Sequence, residues 1–164
     1  MTLRSPPEEL RAISRMLTAL AGWFLALSPV VAASPTVAED PVYTSTFSNL
    51  AVGGYDAVAY FTVGKAVKGR GDFEFEWNGA TWRFTTAENL VAFKADPQAY
   101  APQYGGYYTW AVAQGYAASA DPMAWRIADG KVYLNYDQEV QERRAQDIPG
   151  NIKKADANWP KALD

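Results

Sequence analysis

The sequence predicts an α+β domain: a small antiparallel sheet built from two hairpins, packed with several short helices. In FEFEWNGATWRFT, residues 73–85, Phe73, Phe75 and Trp77 alternate with Glu74 and Glu76, and Trp82 and Phe84 flank Arg83 on the return. This is the two-residue period of a half-buried strand, and Asn78-Gly79 between the arms supplies the two positive-φ residues of a type I′ turn. WRIADGKVYLNY, residues 125–136, repeats the pattern, with Trp125 and Ile127 on one arm, Val132 and Leu134 on the other, and Asp129-Gly130 at the turn. Helical stretches separate the hairpins instead of joining parallel strands, which favours α+β over a doubly wound sheet.

Residues 1–33 read as a leader. Arg11 and Arg15 precede an apolar run, MLTALAGWFLALSPVVAAS, that ends in small residues, the arrangement of a secretory signal peptide. Gly22, Ser28 and Pro29 interrupt the run, which falls short of the roughly 20 residues that span a bilayer; an uncleaved anchor is the alternative. VVA, VAA and TVA compete as the cleavage site, and Met16 competes with Met1 as the start. The expected location is periplasmic or secreted, with membrane contact only if the leader is retained. Residues 34–49 form an extended lead-in, and residues 50–160 the folded domain.

Within the domain, LAVGGYDAVAYF turns at Gly53-Gly54, and Asp56 caps a short helix ending near Phe61. TVGKAVKGRGD is loop or edge strand. After the first hairpin, Thr85 and Glu88 have capping-box spacing, and AENLVAFKA places Leu90, Val91 and Phe93 on a helical face. Asp96-Pro97 ends that helix and opens a short turn through Tyr100. QYGGYYTWAV, residues 103–112, turns at Gly105-Gly106 into a helix reaching Gln114, where Gly115 stops it. After the second hairpin Asp137 caps QEVQERRAQD, Pro149 and Gly150 interrupt, and NIKKADANWP makes a last helix ending before Pro160.

The chain has 164 residues, a net charge of −3, and neither histidine nor cysteine. Zinc, iron–sulfur and copper–thiolate centres need those ligands, as do Ser-His-Asp and Cys-His catalysis, and no calcium-loop spacing occurs. No metal, cofactor or catalytic residue is therefore assigned. Disulfides are excluded as well, so the packing of ten tyrosines and six tryptophans must hold the core. Arg143-Arg144 and Lys153-Lys154 are basic pairs with acids nearby, and the footprint of a nucleic-acid partner is missing. Asp56, Glu74, Glu76, Asp121 and Asp129 could serve as paired carboxylates only if the fold brought two of them together.

GYDAVAYF, WNGATWRFTTAENLVAFKADPQAYAPQYGGYYTWAVAQGY and DGKVYLNYDQEVQERRAQDIPGNIKKADANWP resemble, in order and spacing, the exported YHS-domain proteins of bacteria, over Leu50 to Pro160. The resemblance implies a small α+β domain of unassigned function, to which metal binding is often attributed. Three departures from the family pattern stand out, the first a modest change at a helix start and the other two bearing on that attribution. Ala57 stands where the family commonly has proline, and Tyr108 stands where relatives often carry cysteine. The further cysteines of shorter YHS domains, near the first motif and after the strand Trp82–Phe84, are absent. A soft-metal site is not expected here.

The expectation is an exported single-domain binding module without catalytic activity, taking a small organic ligand. Its pocket would form between Tyr55, Asp56 and Tyr60 of the first motif and Tyr104, Gly105, Gly106, Tyr107, Tyr108 and Trp110 of the glycine segment. Asn135 and Tyr136 would close it. Asp56 could instead be a helix cap with no other role, and the aromatics could be core packing. The alternatives are an accessory domain docking on another exported protein and, behind it, an enzyme using carboxylates and tyrosines.

Overall fold

The computed structural model describes residues 38–45, 47–144 and 147–164. The leader, its VVA and VAA cleavage sites and the anchor alternative lie outside the described residues, which begin at the last residue of the TVA site and contain no helix long and apolar enough to cross a membrane. The fold is α+β. A turn at Ala51–Gly54 leads to α1 (Ala59–Thr62), the hairpin β1 (Arg70–Trp77) and β2 (Ala80–Phe84), and then α2 (Ala87–Ala95) and α3 (Pro97–Tyr100). A second turn, Gln103–Gly106, leads to α4 (Thr109–Ala113), the hairpin β3 (Asp121–Ala128) and β4 (Lys131–Asn135), and α5 (Gln138–Arg144) and α6 (Ile148–Asn158). A short 3₁₀ turn, Lys161–Leu163, follows. Each hairpin is its own two-stranded antiparallel sheet. Asn78 and Gly79 have φ of 51° and 82°, and Asp129 and Gly130 have 48° and 72°, as a type I′ turn requires.

The second half of the chain repeats the first. Both hairpins join an eight-residue arm to a five-residue arm. Both carry a bulge at the same place, between Arg70 and Glu74 in one and between Asp121 and Trp125 in the other. Before each hairpin three successive residues turn left-handed, Val52-Gly53-Gly54 and Tyr104-Gly105-Gly106. A tyrosine with extended backbone follows in both cases. The next amide then bonds the segment leading to the hairpin, Asp56 N–H to Val67 O at 2.8 Å and Tyr108 N–H to Ala118 O at 2.9 Å.

The helix caps match as well, Thr86 with Asp137 and Asp96 with Asp147. Thr86, not Thr85, starts α2, its hydroxyl accepting from the Asn89 amide at 3.2 Å. Thr85 is withdrawn because Asp56 binds both its N–H and its hydroxyl. The last helix also begins earlier than the sequence suggests. Asp147 accepts from Gly150 N–H at 3.0 Å, so Pro149 and Gly150 sit inside the first turn of α6, where a missing proline N–H breaks no helical bond.

Packing divides into two clusters that meet at β4. Tyr60, Trp82, Phe84 and Phe93 form the first with Val132 and Leu134. Tyr104, Tyr107, Val112 and Ala155 form the second with Tyr133. The strand is thus buried on both faces, its alternate residues committed to different cores. Val91, expected on the inner face of α2, is 65% exposed, while Phe93 is fully covered. Ile127 is 38% exposed and lies on an open groove beside Ile148 and Ile152. Packing also extends past residues 50–160, since Val42 belongs to the first core and Tyr43 and Leu163 press on the second.

Asp56 ties the first half together. It has no exposed surface, and its two carboxylate oxygens accept five hydrogen bonds. Oδ1 takes the amides of Val58 and Ala59 at 2.9 and 3.2 Å, which caps the α1 region as expected. Oδ2 takes the Thr85 amide at 2.8 Å, the Thr85 hydroxyl at 2.6 Å and Asn89 Nδ2 at 2.7 Å. A single buried donor left without a partner costs about 1–3 kcal/mol. Asp56→Ala is therefore expected to lower unfolding stability by at least about 3 kcal/mol, against about 1 kcal/mol for Tyr60→Phe, which loses one bond. Urea denaturation of both variants measures the contrast.

Candidate functional site

The residues expected to line one pocket are distributed over several environments. Asp56 is spent on the five bonds above. Tyr60 is buried, its hydroxyl donating to Pro122 O at 2.9 Å and its ring 5.1 Å from that of Trp125. Burial, followed by the proximity of Tyr55, Asp121 and Asp56, pushes its phenol pKa well above the ordinary range. Tyr55 is half-buried beneath Lys68, whose Nζ stands 4.2 Å from the ring centroid, a cation–π contact.

Tyr104 and Tyr107 belong to the second core. The Tyr104 hydroxyl donates to Asp156 Oδ1 at 2.8 Å, and burial followed by that bond raises its pKa strongly. The Tyr107 hydroxyl donates to Asp40 O at 2.8 Å. Burial, then the charges of Glu39 and Asp40, push its pKa up to about 12. Tyr108 is buried, with its ring 5.9 Å from Trp110 and 6.2 Å from Tyr136, and Tyr136 is 57% exposed. Trp110 and Asn135 meet with Thr109 at a small cavity of about 40 Å³, which has space for an occupant on the scale of water. Gly106 and Val52-Gly53, from the two left-handed turns, line another cavity of about 200 Å³.

The donor set does not fit a thiol-held metal. Position 108 carries a buried phenol among aromatic rings, and among the described residues no three Asp or Glu converge. Of the other acids considered from sequence, Asp129 borders the open groove beside Ile148, and the remaining three are engaged locally. Glu74 pairs with Arg83 at 2.6 Å, Glu76 accepts from the Thr81 hydroxyl, and Asp121 accepts from the Met123 amide at 2.8 Å.

A larger site lies where the two halves meet. It is a groove of about 530 Å³, within the range of small-molecule sites. Trp77 and Trp82 of the first hairpin reach it from one half, and Tyr104 and Trp159 from the other. Asn78, Gln98 and Gln103 are its amides, and Lys131 is its one charged side chain. Pro41 and Val42 of the lead-in complete a wall. They approach closely only because residue 105 is glycine: a Cβ there would fall 1.9 Å from Pro41 O. The left-handed φ of 61° at the same residue adds a second reason for glycine.

Of the residues expected from sequence, the groove thus gathers Tyr104 and Gly105. Nothing local in the sequence marks the groove's other aromatics, since Trp77 and Trp82 fit strand alternation and Trp159 stands at the end of a helix. In the sequence, the signal for a seam is the recurrence of a Gly-Gly-Tyr turn ahead of each hairpin, at Gly53-Gly54-Tyr55 and Gly105-Gly106-Tyr107. The chain matches no family model, no curated protein and no solved structure.

Two outcomes follow from this geometry. Gly105→Ala must displace Pro41 and Val42, and a loss of more than about 2 kcal/mol is expected in urea unfolding. The raised pKa of Tyr107 means that the folded state holds this proton more tightly than the unfolded chain. Its contribution is complete below the ordinary tyrosine value of 10.0 and is lost as pH rises toward about 12. Urea midpoints measured from pH 9 to 12 should fall over that window, and Tyr107→Phe should make the fall shallower.

Proposed function

We propose that the chain is an exported YHS-domain protein and that its domain is a non-catalytic binding module, with a ring-bearing organic molecule held in the groove between the two halves. The observation that carries this reading is the groove's composition. Trp77 and Trp159 are the partly exposed aromatics of its lining, with Trp82 and Tyr104 buried behind them, and three amides join them, while no carboxylate and no serine or threonine does. Its ionisable residues are Lys131 and Tyr104, and the Tyr104 hydroxyl is already bound to Asp156. General acid–base catalysis needs a positioned group near its working pH. Aromatic faces with a few polar groups around them instead suit recognition of a ring. The export and family components rest on the leader and on the motif order described above.

A protein-docking role has one observation in its favour. Ile127, Ile148, Pro149 and Ile152 line a second, shallower groove bordered by Arg126, Asp129, Lys153 and Asp156. An apolar strip with a charged rim is a common docking surface.

Tryptophan fluorescence titrated with a panel of sugars, nucleosides and aromatic acids tests the leading reading. At least one compound should give a saturable change, weakened about tenfold or more by the double variant Gln98→Ala/Gln103→Ala, whose unfolding midpoint should stay near that of the parent. No saturable change with any ring compound would reject the groove and leave the Ile127 face as the functional surface.

A further inference from the structure

The groove's polar groups narrow the ligand further, an inference that rests on the binding reading above. We infer that the groove is built for an acidic sugar, a uronic acid or a short oligosaccharide containing one. A sugar ring presents an apolar C–H face and a rim of hydroxyls, each both donor and acceptor. The groove offers the complement, with Trp77 and Trp159 as flat apolar surfaces and three primary amides. A primary amide carries a donor and an acceptor side by side, which suits hydroxyls. Asn78, Gln98 and Gln103 have these groups available: none makes a side-chain hydrogen bond to another described residue.

Lys131 sets the charge of the ligand. It is exposed, lines the groove and has no ion-pair partner among the described residues. A single ammonium, a compact point charge, balances a single carboxylate. A phosphoryl group carries about two negative charges, whereas the groove supplies one ammonium and no arginine. An uncharged hydrocarbon ring would leave both the lysine and the amides without a role.

The experiment compares tri-galacturonate with the matching neutral galactose trimer on the purified full chain, by calorimetry and tryptophan fluorescence, at low and at 0.5 M salt. An exposed ion pair of this kind is worth up to about fivefold in affinity. The acidic trimer should therefore bind up to about fivefold more tightly at low salt, and the preference should shrink in high salt. Lys131→Met should abolish the preference, bringing the two trimers to equal affinity, and Lys131→Arg should retain it. Lys131 is a surface residue, so both variants should unfold at the parental urea concentration. Equal affinity for the two trimers, or a preference unaffected by Lys131→Met, would overturn the acidic-sugar inference while leaving a ring-binding groove intact. Binding of a nucleotide or an aromatic acid in place of either trimer would also overturn it. Failure of every ring compound would instead reject the groove reading itself.

Discussion

The carboxylate of Asp56 joins two stretches distant in sequence: the start of α1, and the run from the residue after β2 to the first turn of α2. Two of its bonds are local and could form in a short peptide. The other three reach Thr85 and Asn89 and exist only once the first hairpin has packed against α1. The group is fully buried, and burying a polar group is favourable only when its bonding capacity is met. Sequence alone separates the cap from the cross-link poorly, since both need an Asp at the same position. The same constraint moves the α2 cap from Thr85 to Thr86.

The second half repeats this plan with different chemistry. Tyr108 occupies the place of Asp56, as the matching amide bonds to Val67 and Ala118 indicate. Its neighbour across the fold is Tyr136, in the place of Thr85. Where Asp56 gathers hydrogen bonds in the first half, Tyr108 makes ring contacts with Trp110 and Tyr136 in the second. This helps explain why the aromatic glycine segment, which looks like a site when read by itself, is mostly core. Tyr104, Tyr107 and Tyr108 are each covered by partners from elsewhere in the chain.

Two similar halves, each with its own core, leave a seam. β4 fills part of it by giving Val132 and Leu134 to one core and Tyr133 to the other. The lead-in closes another part, against Gly105. What remains open is the groove, lined by aromatic residues from both cores and by side chains of exposed turns. A site at such a junction is expected on general grounds, because a seam between packed units is where concave surface survives.

The hairpins, their turn types, most of the caps and the absence of thiol and imidazole chemistry were determined by the sequence itself. Each depends on short-range geometry or on the presence of a side-chain type: alternation of period two, Asn-Gly and Asp-Gly dipeptides, and the lack of cysteine and histidine. Which aromatics face ligand space and which are core was decided only by the tertiary structure. Trp77 and Trp159 meet one groove from distant points in the chain, and Val91 and Ile127 lie outward although their local pattern reads as inward. No local period encodes those outcomes, because they depend on which surfaces the second half of the chain covers.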